Sequence, residues 1–167
     1  MDSLLIALIT GIGVGMGATV VMDLWSIARS ALLGMAPPNY ALVGRWIAHM
    51  KTGRFRHDSI VASPPIRHER LIGWVIHYLI GISFAGILLS IWGLRWIQEP
   101  TLMPALMVGI ATVAAPFLIM QPGMGAGFAA SRTPHPASAR LHSIINHAVF
   151  GVGLYVAGWG AHWLSSL

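Results

Sequence analysis

The chain has 167 residues, of which 56% are hydrophobic and only 9% charged, against about 25% charged in an ordinary globular domain. This composition excludes a soluble domain and points to an all-helical polytopic membrane protein. The absence of cysteine excludes disulfides, thiolate nucleophiles, iron–sulfur clusters and cysteine zinc sites, and the net charge of +5 comes without a basic run interleaved with a stacking platform, which excludes nucleic acid.

A spanning helix needs roughly 20 predominantly apolar residues, and four such segments follow one another in a single membrane domain over residues 1–167. The first covers residues 4–33. It starts beside Asp2, where a cleaved signal peptide would carry a basic region, and is expected to stay as a span. Gly11, Gly13, Gly15, Gly17 and Ala18 thin this helix so that a neighbouring backbone can approach. Asp23 follows, with Trp25 and then Arg29 near the end. Asp23 is the only acid inside any span, where an unpaired carboxylate costs on the order of 3 kcal/mol, so it is expected to be protonated or partnered.

Residues 35–70 form the longest loop, opened by Pro37 and Pro38 and closed by Pro64 and Pro65. Asn39 is placed to cap a short amphipathic helix whose Leu42, Val43, Trp46, Ile47 and Met50 recur at helical spacing. Such a helix is expected to lie in the interface plane. Gly53 ends it. Arg54, Phe55, Arg56, His57 and Asp58 then form a basic knot, expected to be a solvated loop near anionic headgroups, with a substrate-facing role as the alternative.

The second span covers residues 71–94. Thr101 is a plausible cap for a third, at 101–121, in which Pro104 is harmless in the first turn and Pro116 should kink the interior. A second loop, 122–140, opens with Gly123, Gly125 and Gly127, whose spacing fits no phosphate-binding motif and suits a hinge or a tight contact. The fourth span covers 141–164. The seven Trp suit interfacial anchoring.

Seven Lys or Arg lie in and beside the first loop, two (Arg132 and Arg140) in the second, and only Arg95 in the short link between the second and third spans. The excess of positive charge puts both larger loops in the cytoplasm and both termini on the periplasmic side.

The second and fourth spans share one phrase, Arg-Leu-x5-His-x3-Gly, at Arg70 to Gly81 and at Arg140 to Gly151. Each histidine lies seven residues from its arginine, so His77 and His147 are expected about 10 Å deep at about 1.5 Å per residue. The first and third spans share Ala-Thr-Val, at 18–20 and 111–113, which is compatible with two parallel hairpin repeats. The fold expected is thus a four-transmembrane-helix bundle plus a short interfacial helix.

Asp23, His77, Gln121, Asn146 and His147 are expected to converge in the cytoplasmic leaflet, with Arg70, Arg132 and Arg140 at its mouth, together with Arg45 and Arg54 awaiting an anionic head. One account is a hydrogen-bonded plug holding the helices together. A second is a transition-metal site of His77, His147 and Asp23, a two-histidine, one-carboxylate set. A third is a b-type haem held by His77 and His147, with Gly81 and Gly151 clearing room for the macrocycle. A polar-headed or lipid-linked ligand and a proton-coupled transport path stand beside these. The alternative from another class is a non-catalytic accessory subunit docked on a larger membrane complex.

The phrases Asn39-Tyr-Ala-Leu-Val-Gly-Arg-Trp46, Gly53-Arg-Phe-Arg-His-Asp58, Gly73-Trp-x2-His77-Tyr78 and Gln121-Pro-Gly-Met-Gly-Ala-Gly-Phe-Ala-Ala-Ser-Arg-Thr-Pro134 resemble a bacterial inner-membrane family of unknown function. The likeness covers nearly the whole chain. It implies a small four-span protein in the inner membrane and assigns no catalytic residue.

Overall fold

A computed structural model describes residues 3–166, so the expectation attached to Asp2 lies outside the described residues. These are helical, with no strand among them. In order they form α1 (Ser3–Leu33), α2 (Tyr40–Met50), α3 (Glu69–Trp92), α4 (Arg95–Gln98), α5 (Leu102–Ala111), a π turn (Pro116–Met120), α6 (Gln121–Met124), a 3-10 turn (Phe128–Ala130) and α7 (Pro136–Ser165). Four stretches are long and apolar enough to cross a membrane: Leu5–Leu33, Glu69–Trp92, Leu102–Met124 and Pro136–Ser165.

The ends follow local chemistry. Asn39 caps α2 by accepting the Ala41 N–H at 3.2 Å. α3 stops at Trp92 because Gly93 takes a left-handed φ of 69°. α7 begins at Pro136, ahead of the expected residue 141, since proline is pre-organised for the first helical position. Thr101 precedes α5 in an extended conformation, but its side chain makes no capping bond. Pro116 disturbs the third span as its interior position requires. The α-helical pattern breaks after Ala111, and the chain resumes with five residues in a π turn starting at the proline.

Among the described residues, 3–37, 78–112 and 146–166 form one compact unit, and Pro38–His77 with Val113–Ile145 a second. The core of the first unit is Val14, Ala18, Ala85, Leu88, Trp96, Ile97, Ala105, Val108, Phe150 and Leu154. Its helices touch through small residues. A methyl on Gly15 would meet the Ile82 nitrogen at 2.8 Å, and one on Gly109 would meet the Gly151 nitrogen at 2.6 Å. α1 meets α3, and α5 meets α7, at a glycine within one turn of Thr19 and of Thr112, the threonines of the repeated Ala-Thr-Val.

In the second unit, α2 lies against the first turns of α3, with Gly44 on the Glu69 carbonyl and Gly73 on the Tyr40 carbonyl. α2 is the helix expected in the interface plane, and its largest apolar side chain does not face outward. Trp46 is buried in the protein, stacked over Gly123, and its Nε1 donates to the Phe55 carbonyl at 2.9 Å. Packing on a glycine surface buries more of the indole than a membrane interface would, and satisfies its N–H at the same time.

Candidate functional site

α1 and α7 run antiparallel in the first unit. A methyl on Gly17 would meet Ala157 Cβ at 2.9 Å, while one on Gly153 would meet the Ala18 carbonyl at 2.8 Å and Val21 Cβ at 3.1 Å. As the α1 number rises, the α7 number falls. On α1, Trp25 and Arg29 lie seven and eleven residues beyond Ala18, within about 20° of the same line at about 100° per residue. On α7, Asn146 lies seven residues before Gly153, again on the contact stripe. Seven residues down α7 correspond to seven up α1, so Asn146 stands level with residues 25 to 28, next to Trp25 and one position short of Arg29.

This level carries a group of buried polar atoms without protein partners: Trp25 Nε1, Arg29 Nε and Nη1, and Asn146 Oδ1. Arg29 is only 7% exposed, and its Nε and Nη1 are closed off from solvent. A buried charge with unmade hydrogen bonds is among the costliest arrangements a protein can hold.

The neighbouring polar groups of this unit are provided for. Tyr78 donates its hydroxyl to Asp23 Oδ2 at 3.0 Å. Thr112 Oγ1 lies 2.6 Å from the Gly109 carbonyl and 2.9 Å from His147 Nδ1. A hydroxyl has one proton and the carbonyl can only accept, so Thr112 donates to Gly109 and His147 donates from Nδ1 to Thr112.

The second unit holds the rest. His77 Nε2 lies 3.0 Å from the Tyr40 hydroxyl, with the rings stacked at 4.2 Å and Trp74 edge-on at 5.9 Å. Gln121 Nε2 reaches Ser143 Oγ at 3.5 Å, while its Oε1 is buried without a partner. Arg140 donates to the Ala129 carbonyl at 2.7 Å, and Arg70 and Arg132 are exposed.

Arg45 is not the waiting cation expected from the sequence. Its Nε and Nη2 pair with Glu69 at 2.8 and 2.9 Å, and its Nη1 donates to the carbonyls of Ile60, Val61 and Ser63 at 3.2, 3.3 and 2.9 Å. Every face of the guanidinium is used to hold the loop before α3.

The basic knot also differs from a solvated loop at its centre. Arg54, Arg56 and Asp58 are exposed, but His57 is 2% exposed. Its Nδ1 donates to the Gly123 carbonyl at 3.3 Å and its Nε2 lies 2.9 Å from His49 Nδ1. Backbone bonds from His57 to Gly123 at 2.9 Å and from Ile60 to Met124 at 3.1 Å fasten the knot to the end of the third span. Burial pushes the His57 imidazole below its ordinary pKa. Gly125, with φ of 95°, accommodates the approach of the Asp58 carbonyl, which makes the glycine run a tight contact rather than a hinge.

Of the eight residues expected at the site, Asp23, Asn146 and His147 fall in the first unit, and His77, Gln121, Arg70, Arg132 and Arg140 in the second. Among the described residues no group of three or more His, Asp or Glu is arranged to hold a metal ion. The space expected beside the histidines for a haem is filled, since Gly81 packs on Thr19 and Gly151 on Ala105 and Leu106. Trp25 and Arg29 are not among the residues expected at the site from the sequence. The signal was their spacing from Ala18, which carries the small-residue stripe of α1 down to an indole and a guanidinium.

The chain belongs to the family described as protein of unknown function (DUF2938), which it matches over residues 12–161. No curated protein and no solved structure matches it.

Proposed function

We propose that this family member is an integral membrane protein that binds a polar-headed small molecule at the α1–α7 seam, with an anionic group of the ligand against Arg29. The observation that carries this is a guanidinium 7% exposed whose Nε and Nη1 meet no protein acceptor. A buried cation of this kind calls for an anion, and Trp25 Nε1 and Asn146 Oδ1 at the same level add one donor and one acceptor to the site. Asp23 and His147 belong to the same unit but already hold protein partners, Tyr78 and Thr112, so they do not supply its open valences. The count of Lys and Arg in the loops supports a cytoplasmic position for this end of α1.

Mass spectrometry of the protein released intact from mild detergent tests the proposal. Wild type should carry a bound small molecule that Arg29→Leu lacks. Identical spectra without adduct for both proteins overturn it.

A further inference from the structure

Resting on that binding reading, we infer that the ligand is a phosphate, free or esterified, that also carries an O–H or N–H donor. The guanidinium of Arg45 shows what one such group needs in this protein. A single carboxylate, Glu69, covers only its Nε and Nη2, and separate carbonyls are required for Nη1. On Arg29 both Nε and Nη1 are open. A lone carboxylate on the Nε side would leave Nη1 empty, whereas a tetrahedral phosphate with ester oxygens and a neighbouring hydroxyl or carbonyl presents acceptors to more than one edge of the plane.

Asn146 adds a second requirement. Its Oδ1 is an acceptor and finds no donor in the protein, so a ligand with a hydrogen of its own completes the site while Trp25 Nε1 donates to it. A bare anion with no proton to give leaves Asn146 unsatisfied.

Depth fits the same class. Arg29 lies four residues before the end of α1 at Leu33, about 6 Å at about 1.5 Å per residue, which is near the headgroup level of a bilayer. A phospholipid head and a free phosphate share this chemistry, and the two sources are separable.

The whole protein is reconstituted in turn with phosphatidylethanolamine, phosphatidylglycerol and phosphatidylcholine, and the lipid retained after release is weighed by native mass spectrometry, with and without inorganic phosphate. Wild type should retain the ethanolamine or glycerol lipid over the choline lipid, which has a phosphate but no donor, by about tenfold, the scale of one buried hydrogen bond left unmade. Arg29→Leu should lose retention of all three. Asn146→Leu should keep retention and lose the preference. Displacement by inorganic phosphate identifies the free ion as the source, and its failure to displace the lipid identifies the headgroup. Equal retention of the three lipids by wild type overturns the inference, as does an Arg29-dependent ligand without phosphorus, which leaves the binding proposal standing. A wild type that retains nothing overturns both.

Discussion

His147 Nδ1 lies 2.9 Å from Thr112 Oγ1, and the hydroxyl that receives its proton donates onward to the Gly109 carbonyl at 2.6 Å. The relay ties α7 to the end of α5 at the point where Gly109 and Gly151 cross. Replacing Thr112 by Val keeps the volume and removes both bonds, leaving the imidazole N–H without its acceptor inside a span. Thr112→Val should destabilise the protein by about 1 kcal/mol, as polar contacts between membrane helices do, and Thr112→Ser should restore most of it. Reversible unfolding in mixed micelles measures both. Equal stability of Val and Thr at this position would show that the contact contributes nothing.

His57 gives the loop a dependence on pH. Desolvation lowers its pKa most, the nearby charges of Arg54 and His49 lower it further, and the Gly123 carbonyl and Asp58 oppose them. A released His57 takes up a proton below the ordinary value of 6.5, while the packed one resists. The packed state therefore has its full stability above that value and loses it as pH falls below it. Hydrogen exchange of the His57 and Ile60 amides, corrected for intrinsic rates, should be faster at about pH 5.5 than at about pH 7.5. His57→Asn, which keeps a donor for the Gly123 carbonyl and cannot titrate, should abolish the difference.

Arg45 is expected to tolerate no conservative replacement. Lysine supplies a charge for Glu69 but no fork, and it cannot reach the carboxylate and three carbonyls together. Arg45→Lys should cost about 2 kcal/mol, the scale of hydrogen bonds to a charged group, and should expose the 60–63 turn to limited proteolysis. Protease resistance equal to wild type contradicts this assignment.

Helix existence was legible in the sequence because lipid demands long apolar runs, and four helices long and apolar enough to cross a membrane are present among the described residues. The repeated Arg-Leu-x5-His-x3-Gly also pointed to something physical, since its glycines mark the helix crossings of the first unit. The partners of its histidines were not legible. His77 stacks on Tyr40, from the loop helix, and His147 bonds Thr112, so one phrase serves two environments. Composition also hid the difference between Arg45 and Arg29. Both are basic residues in a largely apolar chain, yet the first is consumed by Glu69 and the second is buried with donors to spare. Only contacts distant in sequence separate them.

Two glycines with positive φ separate backbone strain from collision. Gly53 has φ of 77° and nothing within 4 Å of an added methyl, so Gly53→Ala should cost only the left-handed strain, about 1 kcal/mol. Gly125 has φ of 95°, and its methyl would run into the Asp58 carbonyl and stand 2.9 Å from that of His57. Backbone cannot yield there as a flexible side chain would, because the same carbonyls belong to the strand of loop fastened to Gly123 and Met124. Gly125→Ala should therefore cost at least about 2 kcal/mol more than Gly53→Ala, and should raise hydrogen exchange at His57 and Ile60, which Gly53→Ala leaves unchanged. If both variants lose the same stability and neither frees those amides, the loop is not seated on the glycine run, and the fastening ascribed to His57 goes with it.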